Sequence, residues 1–182
     1  MFRLLIISRI SIALAIVLFV GYIVHQHIPF TGVRVISYTF DRPHGAVGVF
    51  RPPVRYELVE HGKRRIAKII EDPVYFDVKT SVVYASADIM FTYQKHTMRT
   101  TQLAVREWQD GWKFSTQPFT EKLVGDWVEA RAHVDLSSAV RENGKYTFAF
   151  SIPGLVAGAS DDSILISDMT ITLIRPSVWE SL

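Results

Sequence analysis

The chain has 182 residues, of which 48% are hydrophobic and 21% charged, and its formal net charge is +2. So small a charge does not favour nucleic acid as a partner, because nucleic-acid-binding domains concentrate basic residues on one surface. The sequence contains no cysteine, which excludes disulfides, cysteine nucleophiles and cysteine-ligated zinc or iron–sulfur sites.

The first predicted element is an apolar helix over residues 4–24, in which Arg9 is the only charged residue. At a rise of 1.5 Å per residue this helix spans about 30 Å, the thickness of a bilayer's hydrocarbon core. Arg3 and Arg9 precede the fully apolar part of this segment, residues 10–24, which predicts a cytoplasmic N-terminus. We therefore predict a single-pass protein of the cell membrane, with a cytoplasmic tip and signal anchor over residues 1–27. A cleaved signal peptide and a buried core helix are the alternatives, but the segment has neither an A-x-A-like cleavage pattern nor a polar face.

From residue 28 onward the dominant hydrophobic period is two, which is typical of strands rather than helices. Turn signals such as His61-Gly62 and Asp110-Gly111 separate the apolar runs. We predict an all-β sandwich over residues 28–182, located outside the cytoplasm. Its predicted strands cover residues 33–40, 54–59, 64–70, 73–78, 87–94, 102–108, 127–134, 146–152 and 163–174.

One short helix is predicted inside this domain, at residues 135–143. Asp135 is its expected N-cap and Asn143-Gly144 its expected stop.

The stretch EDPVYFDVK, residues 71–79, shows the strand pattern most clearly. Pro73 cannot donate a ladder hydrogen bond and therefore suits the start of a strand. Glu71 and Asp72 are expected in solvent. The side chains after them are expected to alternate between a packed face and an outer face. The packed face takes Val74, Phe76 and Val78, and the outer face takes Tyr75, Asp77 and Lys79.

The C-terminal part carries a resemblance to a known fold. In residues 146–176 a strand is followed by a Ser-x-Pro-Gly turn and a last strand of alternating apolar residues, namely Ser151, Pro153, Gly154, Ile164, Ile166, Asp168, Ile171 and Leu173. This part resembles the closing strands of galactose-binding-like jelly rolls, the fold of many carbohydrate-binding modules. The resemblance covers about residues 72–176 and implies a jelly-roll core there. An anchor followed by a DPVYFDV-like strand also resembles a group of uncharacterised envelope proteins of candidate-phyla (Patescibacteria-type) bacteria, which implies no established activity.

Aromatic residues are the candidates for ligand binding, because sugar-binding sandwiches of this kind stack rings on the apolar face of a pyranose. The candidates are Trp108, Trp112, Trp127, Tyr75 and Tyr93. Trp108 and Trp112 flank one turn and are expected at the same rim. The alternative is that these rings fill the core.

The resemblance also implies a structural calcium ion, which needs six to eight oxygen ligands. Asp168 is the expected ligand, with Asp161 and Asp162 close to it in sequence and Glu57 or Glu60 as partners. The alternative is an ordinary solvated loop.

Two further features of the sequence are a basic segment and a pair of histidines. Residues 61–68, HGKRRIAK, contain four Lys or Arg residues. A solvated hairpin is expected there, and contact with an anionic wall polymer or lipid is the alternative. His25 and His27 offer only two ligands on a linker, which makes a poor metal site.

The sequence contains none of the motifs of serine hydrolases, zinc proteases, P-loop proteins or dinucleotide-binding enzymes. We therefore do not expect an enzyme, and an envelope hydrolase with paired carboxylates is the third hypothesis. The first hypothesis is non-catalytic binding of a glycan or envelope polymer. The second is a structural or docking subunit of an envelope protein complex of the secretion or pilus type. No cofactor other than the calcium ion is expected.

Overall fold

A computed structural model describes residues 12–21, 32–42, 44–108, 112–158 and 162–175. The chain divides into two compact units, Met1–Val33 and Arg34–Leu182. In the first unit, residues 12–21 form a helix whose side chains are all exposed. Within the described ranges no helix is long and apolar enough to cross a membrane. The predicted anchor lies partly outside the described residues. Arg3, Arg9, His25 and His27 lie wholly outside them.

The described strands form two sheets, which confirms the predicted β-sandwich. In chain order the strands are β1 (Val33–Thr39), β2 (Tyr56–His61), β3 (Arg64–Ile69), β4 (Val74–Lys79), β5 (Ser86–His96), β6 (Gln102–Trp108), β7 (Trp112–Pro118), β8 (Thr120–Val124), β9 (Trp127–Asp135), β10 (Arg141–Glu142), β11 (Lys145–Ser151) and β12 (Ser163–Ile174). A short 3-10 helix, Pro53–Arg55, precedes β2. Sheet A has the order β2-β3-β12-β5-β9-β8, with β1 also paired to β12. Sheet B has the order β10-β11-β6-β7, with β4 also paired to β11.

The core between the sheets is rich in aromatic rings. Phe76 of β4 stacks on Phe148 of β11, with ring centroids 5.5 Å apart. Phe91 of β5, in sheet A, contacts Phe150 of β11, in sheet B, at 4.9 Å. All four side chains are fully buried. Because rings of this size bury much apolar surface, their contacts hold the two sheets together without a disulfide.

Strand β4 confirms the alternation predicted for EDPVYFDVK. Its packed face is fully buried, whereas Tyr75 and Asp77 are half-buried and Lys79 is exposed. Asp72, however, is not in solvent as expected. Its Oδ1 accepts a hydrogen bond from the Ile152 N–H at 2.6 Å, and its own N–H donates to the Leu155 carbonyl at 3.1 Å. The acidic residue before β4 therefore ties this strand to the loop after β11.

The helix predicted at residues 135–143 is wrong. Strand β9 continues to Asp135, and this carboxylate accepts a hydrogen bond from the Ser137 N–H at 2.8 Å. The same contact that would cap a helix closes a local turn here. Asn143 and Gly144, with φ of 52° and 73°, form the two-residue turn between β10 and β11.

Strands β7 and β8 are missing from the predicted strands. Phe119 lies between them and packs on Phe91 and Phe150 at 5.7 Å, so the chain passes from sheet B to sheet A at one partly buried ring. The turn from β8 to β9 is Gly125-Asp126, with Gly125 at φ 63°. A Gly-Asp dipeptide is a hairpin signal, and it is the sequence feature that could have located β8.

Candidate functional site

The outer face of sheet B carries a pair of aromatic rings. Tyr75 of β4 and Phe114 of β7 are both half-buried. Their ring centroids lie 5.6 Å apart, with 33° between the ring planes. Together with Arg51 and Pro52 they line a cavity of about 530 Å³. We call this cavity, lined by these four residues, the aromatic cleft.

The two rings meet because the residues between them are small. In sheet B, β11 and β6 separate β4 from β7, so the two backbones are about 14 Å apart, three strand spacings. Ala149 and Ala104 are paired with each other on these intervening strands, and they are only 3% and 2% exposed. Tyr75 and Phe114 therefore lean toward each other over the alanines and cover them.

Charged and hydroxyl groups lie beside the aromatic cleft. A second cavity of about 240 Å³ is lined by Arg51, Asp77, Arg106, Glu142, Asn143, Lys145 and Thr147. Asp77 Oδ1 accepts hydrogen bonds from Arg51 Nη2 at 2.8 Å and from Thr147 Oγ1 at 2.9 Å. Arg106 Nη1 donates to Glu142 Oε2 at 2.9 Å. An apolar surface next to polar groups held in fixed orientations is typical of small-molecule sites.

The backbone register pairs Trp108 with Trp112 across the β6–β7 hairpin. These positions are two residues beyond Arg106 and Phe114, and strand alternation assigns positions two residues apart to one face. Their side chains, and the predicted Asp110-Gly111 turn, lie outside what the structure describes. That the two rings share a rim therefore stays a prediction.

Trp127 lies on the other sheet. It is the first residue of β9 in sheet A, is half-buried, and meets the His61 ring edge-to-face at 5.8 Å. It lines a separate cavity of about 310 Å³ together with His61, Arg64, Ile66, Thr92, Ser167 and Asp168. Trp127 and Tyr75 thus belong to different faces of the sandwich.

Tyr93 is corrected from a ligand candidate to a core residue. Its ring is 0% exposed, so it offers no face to a sugar. Its hydroxyl donates to Glu121 Oε1 at 2.7 Å and lies 2.8 Å from Thr101 Oγ1. Burial raises the pKa of Tyr93. The sequence pattern gave no sign of this network, because Glu121 comes 28 positions after Tyr93 and reaches it only through the pairing of the strands.

The expected calcium ligands have different partners. Asp162 is paired with Arg99 at 3.3 Å, and Asp168 accepts a hydrogen bond from Thr92 Oγ1 at 2.8 Å. Asp161 lies outside the described residues, and Glu57 is on β2. In the ranges that the structure describes, no group of three or more His, Asp or Glu side chains is arranged to hold a metal ion.

No protein-family model matches the chain, and no curated protein matches it. Among solved structures, it is similar to the CBM22-1 xylan-binding domain of Paenibacillus barcinonensis Xyn10C, with a TM-score of 0.51 and 9% identity over 81% of this chain and 99% of that one. It is also similar to the CBM22-2 xylan-binding domain of the same protein, with a TM-score of 0.49 and 12% identity over 76% and 98% of the two chains. A family 35 carbohydrate-binding module of Clostridium thermocellum gives a TM-score of 0.46 and 12% identity over 76% and 97%.

The first of these likenesses confirms the resemblance to carbohydrate-binding modules at the level of the fold. The resemblance to envelope proteins of Patescibacteria-type bacteria receives no support from the comparisons and stays a prediction.

Proposed function

We propose that the sandwich is a non-catalytic domain that binds a glycan or envelope polymer in the aromatic cleft. One observation carries this proposal: the rings of Tyr75 and Phe114 lie side by side on the outer face of sheet B, with their centroids 5.6 Å apart. Rings that only fill the core would point inward instead. Two adjacent rings offer an apolar platform to the faces of pyranose units. Asp77 and the neighbouring arginines are within the adjoining cavity and supply hydrogen bonds for sugar hydroxyls.

The arrangement of the carboxylates supports binding rather than hydrolysis. Asp77 is held by Arg51 at 2.8 Å and Glu142 by Arg106 at 2.9 Å. Glycoside hydrolysis instead uses one carboxyl group as a proton donor. Likeness in fold to a domain named as xylan-binding agrees with a polysaccharide ligand.

The proposal is tested with the full chain in a mild detergent on an array of polysaccharides. For the strongest neutral ligand, we expect Tyr75→Ala and Phe114→Ala each to weaken binding by about tenfold, because each removes one stacking surface of about 1–2 kcal/mol. Trp108→Ala and Trp112→Ala test the predicted rim in the same assay.

Leu123→Ala is the control, since Leu123 is an exposed apolar side chain on β8 of the other sheet and lines neither cavity. This change should leave the affinity unchanged. Circular dichroism checks that each variant is folded. Failure of the parent chain to bind any polysaccharide, or parent-like affinity in both cleft variants, rejects the proposal.

We also propose that residues 4–24 anchor the chain in the cell membrane, with the sandwich on the extracytoplasmic side. Apolar side chains of the described helix at 12–21 are exposed on all its faces, among them Ile12, Leu14 and Phe19. A helix that is apolar all round requires an apolar environment. Arg3 and Arg9 precede the fully apolar residues 10–24, which fits the positive-inside tendency.

The alternative function, a docking subunit of an envelope complex, has one supporting feature. Strand β8 lies at the end of the strand order of sheet A. All five of its residues are exposed, and Leu123 is 73% exposed. An edge strand of this kind can add a strand from a partner. This alternative stays a prediction.

A further inference from the structure

The end of the β2–β3 hairpin leaves the plane of sheet A. Strand β3 pairs with β12 only over Ala67–Ile69. Strand β5 pairs along β12 from Ser163 to Ile174, so β1, which also pairs with β12, must take the edge of β12 beyond β3. The hairpin end, residues 61–66, is thereby displaced from the sheet.

The displaced hairpin end leans over the outer face of sheet A. Strands β2 and β9 are four places apart in the strand order, yet the His61 ring of β2 lies 5.8 Å from the Trp127 ring of β9. Between hairpin and sheet is the cavity of about 310 Å³. We call it the hairpin cleft, lined by His61, Arg64 and Ile66 from the hairpin and by Thr92, Trp127, Ser167 and Asp168 from the sheet.

A β-bulge supplies the polar side of the hairpin cleft. The register of β12 against β5 shifts between Ile166 and Asp168. In a regular strand, neighbouring side chains point to opposite faces, but the bulge lets Ser167 and Asp168 both line the cleft. Bulges often re-aim side chains in this way beside functional sites.

Asp168 is held in one orientation within the cleft. Thr92 Oγ1 donates to its Oδ1 at 2.8 Å, and Ser167 Oγ donates to its Oδ2. Each carboxylate oxygen has two lone pairs, so both oxygens can accept a further hydrogen bond from a ligand. Asp168 is therefore a positioned acceptor.

The remaining walls are apolar and cationic. Ile66 is only 1% exposed although it lies outside the central core cluster, so it forms an apolar base under the Trp127 and His61 rings. Arg64 is exposed and takes part in none of the ion pairs found among the described residues. Lys63 and Arg65 flank it in the sequence and make the cleft entrance electropositive.

We propose that the hairpin cleft is a second binding site, for a pyranose that carries a carboxylate, such as a uronic acid unit. The Trp127 ring contacts the apolar face of the sugar, and Asp168 accepts hydrogen bonds from its hydroxyls. Arg64 forms a charge-assisted hydrogen bond with the ligand carboxylate. A neutral pyranose makes the first two contacts and lacks the third.

Titration calorimetry with the full chain in detergent tests this site. Glucuronate and galacturonate are compared with glucose and galactose, and polygalacturonate shows whether the unit is taken from a polymer. We expect each acidic sugar to bind about tenfold more tightly than its neutral counterpart, and Arg64→Gln to remove this preference. In a Tyr75→Ala background, which removes the aromatic cleft, Trp127→Ala should abolish the remaining binding of both kinds of sugar. Asp168→Asn keeps the side-chain shape and should weaken both.

Arg65→Gln is the matched control, because Arg65 has the same charge in the same hairpin but does not line the cleft. It should keep the preference for acidic sugars. Equal loss in Arg64→Gln and Arg65→Gln would mean that the basic hairpin merely attracts anions, and would overturn the proposal. Lack of measurable uronate binding by the parent chain would overturn it too. Tyr75→Ala should bind uronates normally, so this site and the aromatic cleft are tested separately.

Discussion

At the scale of single residues, Glu121 shows how one carboxylate joins the two sheets. Its Oε1 accepts hydrogen bonds from the Tyr93 hydroxyl of sheet A at 2.7 Å and from Thr101 Oγ1, next to β6 of sheet B, at 2.8 Å. Lys95 Nζ lies 3.1 Å from the same oxygen. Burial raises the pKa of Glu121, but these hydrogen bonds and the lysine charge outweigh burial and hold the pKa below its ordinary value.

The stability of the sandwich should consequently fall in acid. Because the pKa of Glu121 is lower in the folded than in the unfolded chain, the unfolded chain takes up the proton first as the pH falls. The stabilisation is complete above the ordinary glutamate pKa and is lost as the pH falls through the folded-state value. Glu121→Gln should be about 1 kcal/mol less stable at neutral pH and should depend less on pH in acid.

Urea unfolding of parent and variant at a series of pH values, followed by circular dichroism, measures both effects. Thr116→Ala, a change at an exposed position of β7, is the control and should keep the parent's pH profile. Parallel profiles for the parent and Glu121→Gln contradict this assignment.

At the scale of elements, the hairpin turns depend on residues with positive φ. Gly62, with φ +64°, and Gly144, with φ +73°, both adopt this conformation. A Cβ at Gly144 would lie 3.3 Å from the Thr80 carbonyl oxygen, whereas one at Gly62 would meet nothing within 4 Å. A comparison of alanine substitutions at the two glycines therefore distinguishes the cost of backbone strain from the cost of a steric contact.

We predict that Gly144→Ala destabilises the sandwich more than Gly62→Ala. Both changes cost about 1 kcal/mol of left-handed backbone strain. Gly144→Ala also displaces the Thr80 carbonyl, which accepts a hydrogen bond from Arg141 Nη2, and this should add about 1 kcal/mol. Unfolding midpoints in urea give the difference. A cost for Gly62→Ala equal to or above that for Gly144→Ala would refute the steric argument.

The strands that could be predicted from sequence are those with a buried face. Strand β12 has the predicted bounds, residues 163–174, because its apolar residues alternate on both sides of the bulge between Ile166 and Asp168. Strand β8 could not be found by that rule, since all its residues are exposed. The wrong helix at residues 135–143 has a different cause, because an Asp followed by Ser residues suits a helix cap and a turn equally.

The candidate sites were less accessible to sequence reasoning than the strands. Alternation predicted that Tyr75 faces outward, but its neighbour Phe114 is 39 positions later (114 − 75) and reaches it only through the strand order β4-β11-β6-β7. A bulge turns Ser167 and Asp168 to one face. Its position could not be predicted from the hydrophobic periodicity of the sequence. The aromatic cleft thus depends on the long-range pairing of strands, and the hairpin cleft depends on a local β-bulge.

At the scale of the whole sandwich, the two clefts lie on outer faces of opposite sheets. The aromatic cleft belongs to sheet B and the hairpin cleft to sheet A, with the Phe76 and Phe91 rings in the core between them. One short ligand cannot reach both. A polymer network with neutral and acidic chains can occupy both clefts at once. Binding at one cleft then raises the effective concentration of the polymer at the other cleft and strengthens the overall affinity.

The absence of cysteine from the sequence makes the proposed membrane topology directly testable. Phe2→Cys marks the N-terminal tip without removing Arg3 or Arg9, and Ser137→Cys marks an exposed position after β9. In right-side-out membrane vesicles, we expect a membrane-impermeant maleimide to label Ser137→Cys at once. It should label Phe2→Cys only after permeabilisation, because the basic residues keep the tip on the cytoplasmic side. The parent chain gives the background. The reverse labelling order, or release of the chain by an alkaline wash, would rule out an N-in anchor.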